Sequence, residues 1–195
     1  LNEQNMTLLY SVPWPPQGLY FAQEVNSLAD AEGLKFRAYN AATARVAELG
    51  GMVPTQIEAA ELKQALATGV VQAFISSGST GVDEKVWEDL TNFYDSKAWL
   101  PRNSIFVNSD AFTVLPVASQ DCLTTMAAEA EARGSAKAEE LAGGFLATLA
   151  ENGLTVSEPG EQLSADLAVI GATMTEEWLA EAGASGAAIV DAFKN

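Results

Sequence analysis

The chain has 195 residues, 48% of them apolar and 18% charged, so it can bury a substantial core in one or two domains and is too apolar for disorder. Its formal net charge of −16, from 26 acidic and 10 basic side chains, argues against a nucleic-acid partner and an anionic membrane surface. The absence of histidine and the single cysteine, Cys122, remove the Ser-His-Asp triad, the Cys-His dyad, Cys-pair metal sites, an intrachain disulfide and Cys-x-x-Cys redox chemistry.

In chain order, Met6–Val12 reads as a buried strand rich in β-branched and aromatic residues, ended by a fixed loop at Trp14-Pro15-Pro16-Gln17-Gly18. A short strand is expected over Tyr20–Val25, then a helical turn at Ser27-Leu28-Ala29-Asp30. In Gly33–Asn40, Leu34 and Phe36 alternate with Lys35 and Arg37, the period of a half-buried strand. Asn40 stands at the N-cap of a helix over Ala41–Leu49, which Gly50-Gly51 closes. Arg37 is thereby delivered to the carboxyl end of a strand beside a helix N-terminus, where open α/β sheets hold their ligands. Its planar fork can grip a carboxylate with two parallel hydrogen bonds, although an arginine at a strand end also serves as a surface ion-pair partner.

Met52-Val53-Pro54 reads as a strand end, Ala59–Thr68 as an amphipathic helix, and Val70–Ile75 as a buried parallel strand. The hydroxyl-rich Ser76-Ser77-Gly78-Ser79-Thr80-Gly81 is expected as a strand-to-helix loop, either a capped turn or a ligand-donating loop. No Lys follows its glycines, so it is not a phosphate loop. Lys85–Tyr94 is expected as a helix, with Trp99 in the connector Lys97–Pro101. A strand over Asn103–Ser109 and a short helix stopped at Leu115-Pro116 precede a long Ala/Glu-rich helix. That helix is expected to be capped at Ser119-Gln120-Asp121 and broken near Gly134 and Gly143-Gly144, its acidic run Glu129–Glu140 facing solvent. A strand at Leu154–Val156 and helices over Ala165–Val169, Thr175–Ala182 and Gly186–Phe193, the last capped by Ser185, complete the chain. No window reaches the roughly 18–20 apolar residues of a membrane helix, so no direct membrane insertion is expected. No cofactor or metal site is expected either.

Taken together, Pro15-Pro16-Gln17-Gly18-Leu19-Tyr20, Ser27–Asp30, Gly33–Arg37, Gly50-Gly51 with Pro54, and Glu61 ahead of Ala65–Val71 resemble the solute-binding proteins of TRAP transporters (tripartite ATP-independent periplasmic transporters), the DctP-like receptors. The resemblance implies an α/β fold of the type II periplasmic-binding-protein kind, with a parallel-rich sheet lobe, crossing strands and long C-terminal helices. Residues 11–102 would form the ligand-binding α/β lobe. Residues 1–10 and 103–195 would form crossing strands, part of a second lobe and the C-terminal helices. The chain would start partway into the family pattern, its first α/β segment absent.

By the same resemblance the protein would be a periplasmic receptor, not a catalyst. It would close two lobes on a small organic carboxylate and present it to the TRAP membrane permease. Arg37 would hold the carboxylate. Gln17 falls where many members carry a further Arg, and Ser76 where they carry an Asn. With Asn40 these two would orient the ligand, and Phe74, Trp14 and Trp99 would wall the pocket. Both tryptophans read equally as rim or core packing. Glu58 lies where the family's pocket mouth is expected and reads as a surface acid or as a seat for an amine. Loss of the second Arg and the nearby tryptophans favour a monocarboxylate with an apolar or aromatic body. The competing readings are a transferase-like α/β enzyme using the Ser/Gly segment, a receptor for an amine-bearing ligand, and a scaffold without a small ligand.

Overall fold

The structure, a computed structural model, describes residues 1–194. In chain order its strands are β1 (Met6–Pro13), β2 (Gln17–Phe21), β3 (Lys35–Ala38), β4 (Val53–Gln56), β5 (Ala73–Ser77), β6 (Asn92–Trp99), β7 (Arg102–Asn108) and β8 (Thr155–Ser157). The α-helices are α1 (Ala41–Leu49), α2 (Leu62–Ala67), α3 (Gly78–Asp83), α4 (Ser109–Thr113), α5 (Val117–Glu151) and α6 (Glu161–Lys194). Contacts divide the chain into two compact units. The first comprises Leu1–Gly18, Ser76–Lys85 and Lys97–Gly153; the second comprises Leu19–Ile75, Val86–Ser96 and the chain from Leu154 onward. Among the described residues no helix is long and apolar enough to cross a membrane.

In the first unit β1 and β7 pair antiparallel, Met6 opposite Asn108 and Pro13 opposite Arg102, with a bulge between Leu8 and Tyr10. Helix α5 packs across β1, and the close approach explains one of its glycines. A Cβ on Gly134 would stand 2.8 Å from Val12 Cγ2. The expected breaks at Gly134 and Gly143-Gly144 do not occur, and α5 runs unbroken for 35 residues. Each mid-helix glycine costs about 1 kcal/mol in propensity, but packing overrides it: Phe145 and Leu146 lie against Gly78 of α3. Nor does Ser119-Gln120-Asp121 cap α5, whose N-cap is Pro116. Gly134→Val would force the stiff Val12 side chain aside and is expected to lower the first unit's unfolding free energy by about 2 kcal/mol. A urea titration checks this, and an unchanged midpoint would exclude the close contact.

The second unit is built on a sheet of order β4-β3-β5-β2-β6-β8. Strands β3 and β4 pair parallel, as do β3 and β5, and β6 and β8. Pro54 lies on the edge strand β4, where a missing ladder donor is tolerated. Tyr20, Phe21, Phe36, Phe74 and Phe93 are fully buried; Tyr20 stacks on Phe74 with centroids 4.5 Å apart and planes 6° apart, and Phe93 tilts against Tyr20 at 4.5 Å.

Two expectations of element type fail here, and one strand has other bounds than expected. Lys85–Tyr94 is not a helix: Lys85 adopts φ 49°, a 3-10 turn spans Val86–Glu88, and Asn92 begins β6. Trp99 is therefore the last residue of a strand rather than part of a connector. The second strand spans Gln17–Phe21 instead of Tyr20–Val25. The C-terminal helices run over Glu161–Lys194 with an interruption at Gly183, whose φ 59°, ψ −143° is open essentially to glycine alone and which lies between the helices expected over Thr175–Ala182 and Gly186–Phe193.

Helix α6 is tied to α1 and to the 3-10 turn at Leu28–Ala31 by charge. Asp166 accepts from Leu28 N–H at 2.9 Å, and Arg45 donates through Nε and Nη2 to both oxygens of Glu177. Arg45 also donates to Glu48. The hydrogen bonds from Arg45 hold the Glu177 carboxyl below its ordinary range, and Glu177 and then Glu48 raise the Arg45 guanidinium. A carboxylate whose folded pKa is depressed adds stability above its unfolded value, about 4.3 for Glu, and loses it as pH falls through the folded value. Glu177→Gln is accordingly expected to match the wild type's acid dependence less steeply below about pH 4. Parallel acid-unfolding curves would refute that contribution.

Candidate functional site

Topology singles out one position in the second unit. From β3 the chain passes through α1 to β4 on one side, whereas β5 lies on the other side of β3 and its connection continues to β6. Neighbouring strands whose connections leave in opposite directions form a switch point, and ligands of open α/β sheets bind beyond the carboxyl ends of strands there. Arg37, the penultimate residue of β3, occupies that place, and its register partner on β5 is Phe74.

The side chain of Arg37 is only 5% exposed. Its Nε–H donates to the Ile57 carbonyl at 2.9 Å, and its guanidinium carbon stands 4.9 Å from the centre of the Tyr39 ring. These two contacts, a carbonyl oxygen and an aromatic ring, fix the direction of the fork. A cation held this way in low dielectric attracts an anion far more strongly than one in water. Sequence reasoning found Arg37 but not these two supports. Tyr39 lies two residues further along the extended chain, a spacing that could have suggested ring-on-cation packing. Ile57 follows β4 directly, and only the parallel pairing of β3 with β4 brings its carbonyl near.

Asn40 is the N-cap of α1, as expected. Its Oδ1 accepts from Thr43 N–H at 2.8 Å, while Thr43 Oγ1 accepts from the Asn40 N–H at 3.2 Å. The carboxamide oxygen is thus engaged in holding the helix start. Glu58 is exposed and precedes a 3-10 turn at Ala59–Glu61 without capping it. Phe74 belongs to the aromatic stack of the second unit's core.

The remaining candidates lie in the first unit. Gln17 is buried at the start of β2, not in a loop. Ser76 and Ser77 are the last residues of β5, and Gly78 already begins α3, so Ser76–Gly81 is not the loop that its composition suggests. Its hydroxyls bond one another: Ser76 Oγ donates to Thr80 Oγ1 at 2.9 Å, and Ser77 Oγ lies 2.8 Å from Ser79 Oγ. The Trp14 indole, 40% exposed, donates to Ser77 Oγ at 2.9 Å and lines a groove of about 740 Å³ with Pro16, Leu100 and Arg102. Trp99 is half-buried at the end of β6. Within this unit the structure therefore joins Trp14 to the hydroxyl cluster beside Ser76. Within the other it joins Arg37 to Phe74 across one strand pair.

Residues 17–180 match the family model of bacterial extracellular solute-binding proteins, family 7 (DctP). No curated protein sequence matches the chain. Similar solved structures include a marine-metagenome TRAP solute-binding protein from an unidentified microbe, specific for pyroglutamate and bound to it; it is 50% identical with a TM-score of 0.94. Two Bordetella pertussis extracytoplasmic solute receptors that bind pyroglutamic acid, DctP6 and DctP7, are 44% and 39% identical, with TM-scores of 0.95 and 0.94. Each match covers all of this chain and 64% of the relative, so the chain spans about two thirds of those proteins' length.

Proposed function

The chain belongs to family 7 of the bacterial extracellular solute-binding proteins, the DctP family, and from that premise we propose that it captures pyroglutamate in the periplasm and hands it to a TRAP membrane permease. Membership assigns it to binding proteins rather than enzymes. Support for the ligand comes from three relatives at 39–50% identity whose bound or specific solute is this one compound. Pyroglutamate carries one carboxylate on a small ring with an amide N–H, an amide carbonyl and two methylenes. It needs one cation, a few neutral hydrogen-bonding groups and an apolar wall.

The observation that carries the reading is Arg37, a buried guanidinium held by the Ile57 carbonyl and the Tyr39 ring at a sheet switch point. A single fork suits a monocarboxylate, since a dicarboxylate would bring a second charge into a chain whose acids already outnumber its bases. Calorimetric titration with pyroglutamate, proline and glutamate tests it. Pyroglutamate is expected to bind at least tenfold more tightly than proline, which lacks the ring carbonyl, and than glutamate, which adds a carboxylate. Equal or tighter binding of glutamate would contradict the proposal.

A further inference from the structure

The Tyr39 ring can hold Arg37 only if it is itself held, and the hydrogen bonds around it converge on one side chain. The bond from Arg37 Nε–H to the Ile57 carbonyl is a single in-plane attachment, which alone leaves the guanidinium free to turn about it. The ring, with its centre 4.9 Å from the guanidinium carbon, covers one face and removes that freedom. Ile57 is fixed in turn, its N–H donating to the Ala38 carbonyl at 3.1 Å.

The anchor for Tyr39 is Thr43, fully buried in the first turn of α1. Its Oγ1 accepts from Tyr39 N–H at 3.1 Å and from Asn40 N–H at 3.2 Å, and it donates to the Asn40 carbonyl at 3.0 Å. A hydroxyl has one donor and two acceptor sites, and all three are used. Starting the helix accounts for only part of this. A capping box joins the N-cap residue to the third helical residue, here Asn40 to Thr43. The bond to Tyr39 falls outside that box, on the residue whose ring lies under the guanidinium. A β-branched side chain, stiff at χ1, suits an anchor of this kind.

We propose that Thr43 and Tyr39 are positioning residues for ligand capture: the Thr43 hydroxyl fixes the chain at Tyr39, and the Tyr39 ring keeps the Arg37 fork in the plane that a carboxylate needs. This rests on the carboxylate reading of Arg37. The consequence is selectivity as well as affinity. A loose guanidinium still attracts an anion as a point charge does, but it forfeits the paired bonds that favour a planar carboxylate.

Nitrogen-15 NMR of the arginine side chains in the ligand-free protein reads the positioning directly. Tyr39 is half-buried, so Tyr39→Leu leaves the core of the unit intact. That variant and Thr43→Val are each expected to speed exchange of the Arg37 Nε proton with water about tenfold. Tyr39→Phe, which keeps the ring, and Thr43→Ser, which keeps the hydroxyl, are expected to stay within about twofold of wild type. Calorimetric titration reads the consequence. Tyr39→Leu and Thr43→Val are expected to weaken pyroglutamate about tenfold and to leave its carboxamide, the same ring without the charge, within about twofold. In an Arg37→Met background Tyr39→Leu is expected to cost nothing further. Unaltered Arg37 exchange in Tyr39→Leu, an equal loss of both ligands, or an undiminished cost in the Arg37→Met background would each overturn the proposal. Should the wild type bind no pyroglutamate, the ligand reading fails, and the exchange measurement alone decides whether Tyr39 positions Arg37.

Discussion

Arg37→Met is expected to weaken pyroglutamate binding by at least 100-fold, the largest functional effect of any single substitution in the chain. The fork's charge-assisted bonds to a carboxylate are each about twice as strong as neutral ones, and losing about 2.8 kcal/mol corresponds to 100-fold. Methionine keeps much of the volume and removes the charge, but it also strips the Ile57 carbonyl of its donor. Unpairing that carbonyl costs about 1–3 kcal/mol of stability. A melting curve beside the titration separates the two losses. Arg37→Lys is the sharper control, because a point charge keeps the attraction and loses the planar fit. It is expected to fall between wild type and Met, and an affinity equal to wild type would mean that the fork is not used.

Phe74→Ala carries the largest expected effect on stability. The ring is fully buried and stacked face to face on Tyr20, whose own ring meets Phe93. Removing a buried Phe costs about 3–5 kcal/mol, and the lost aromatic pair falls within that range. The second unit is expected to lose about 4 kcal/mol in urea unfolding, against about 1.5 kcal/mol or less for the better-filling Phe74→Leu. Should Phe74→Ala instead leave stability intact while binding collapses, Phe74 would be a wall of the pocket before it is a member of the core.

How far the sequence predicts this molecule depends on the range of the interactions involved. The Asn40 cap, helix α1 and the buried parallel strand β5 are local patterns, and all are present, whereas β3 is buried from Phe36 through Ala38 instead of alternating as a half-buried strand would. The helical turn after Ser27 is present too, held by a reciprocal box between Ser27 and Asp30. Misread segments are those where tertiary packing decides between two local options. Val86, Leu90, Phe93 and Tyr94 have helical spacing, but Phe93 and Tyr94 pair with Val156 and Ser157 of β8, 63 residues away in sequence, which cannot be inferred from a window. Glycines in α5 read as breaks, whereas Gly134 marks where β1 crosses under the helix. The hydroxyl run at Ser76–Gly81 reads as a loop, since serine and threonine favour turns as strongly as they favour helix starts.

At the site, Arg37 was accessible because strand period, cap and helix stand within eight residues of one another. Its aim was not, because Ile57 reaches it only through the β3–β4 pairing. The same limit hides the switch point: strand order is a global property, and only the arrangement β4-β3-β5 shows that Arg37 and Phe74 stand where the connections diverge.

A crystal structure of the protein with pyroglutamate bound would measure the decisive distance, from the ligand's carboxylate oxygens to the Arg37 Nη atoms. The account predicts two contacts of about 2.7–2.9 Å, side by side. A carboxylate held by other groups, with Arg37 separated from it by water or still directed only at protein, would contradict it.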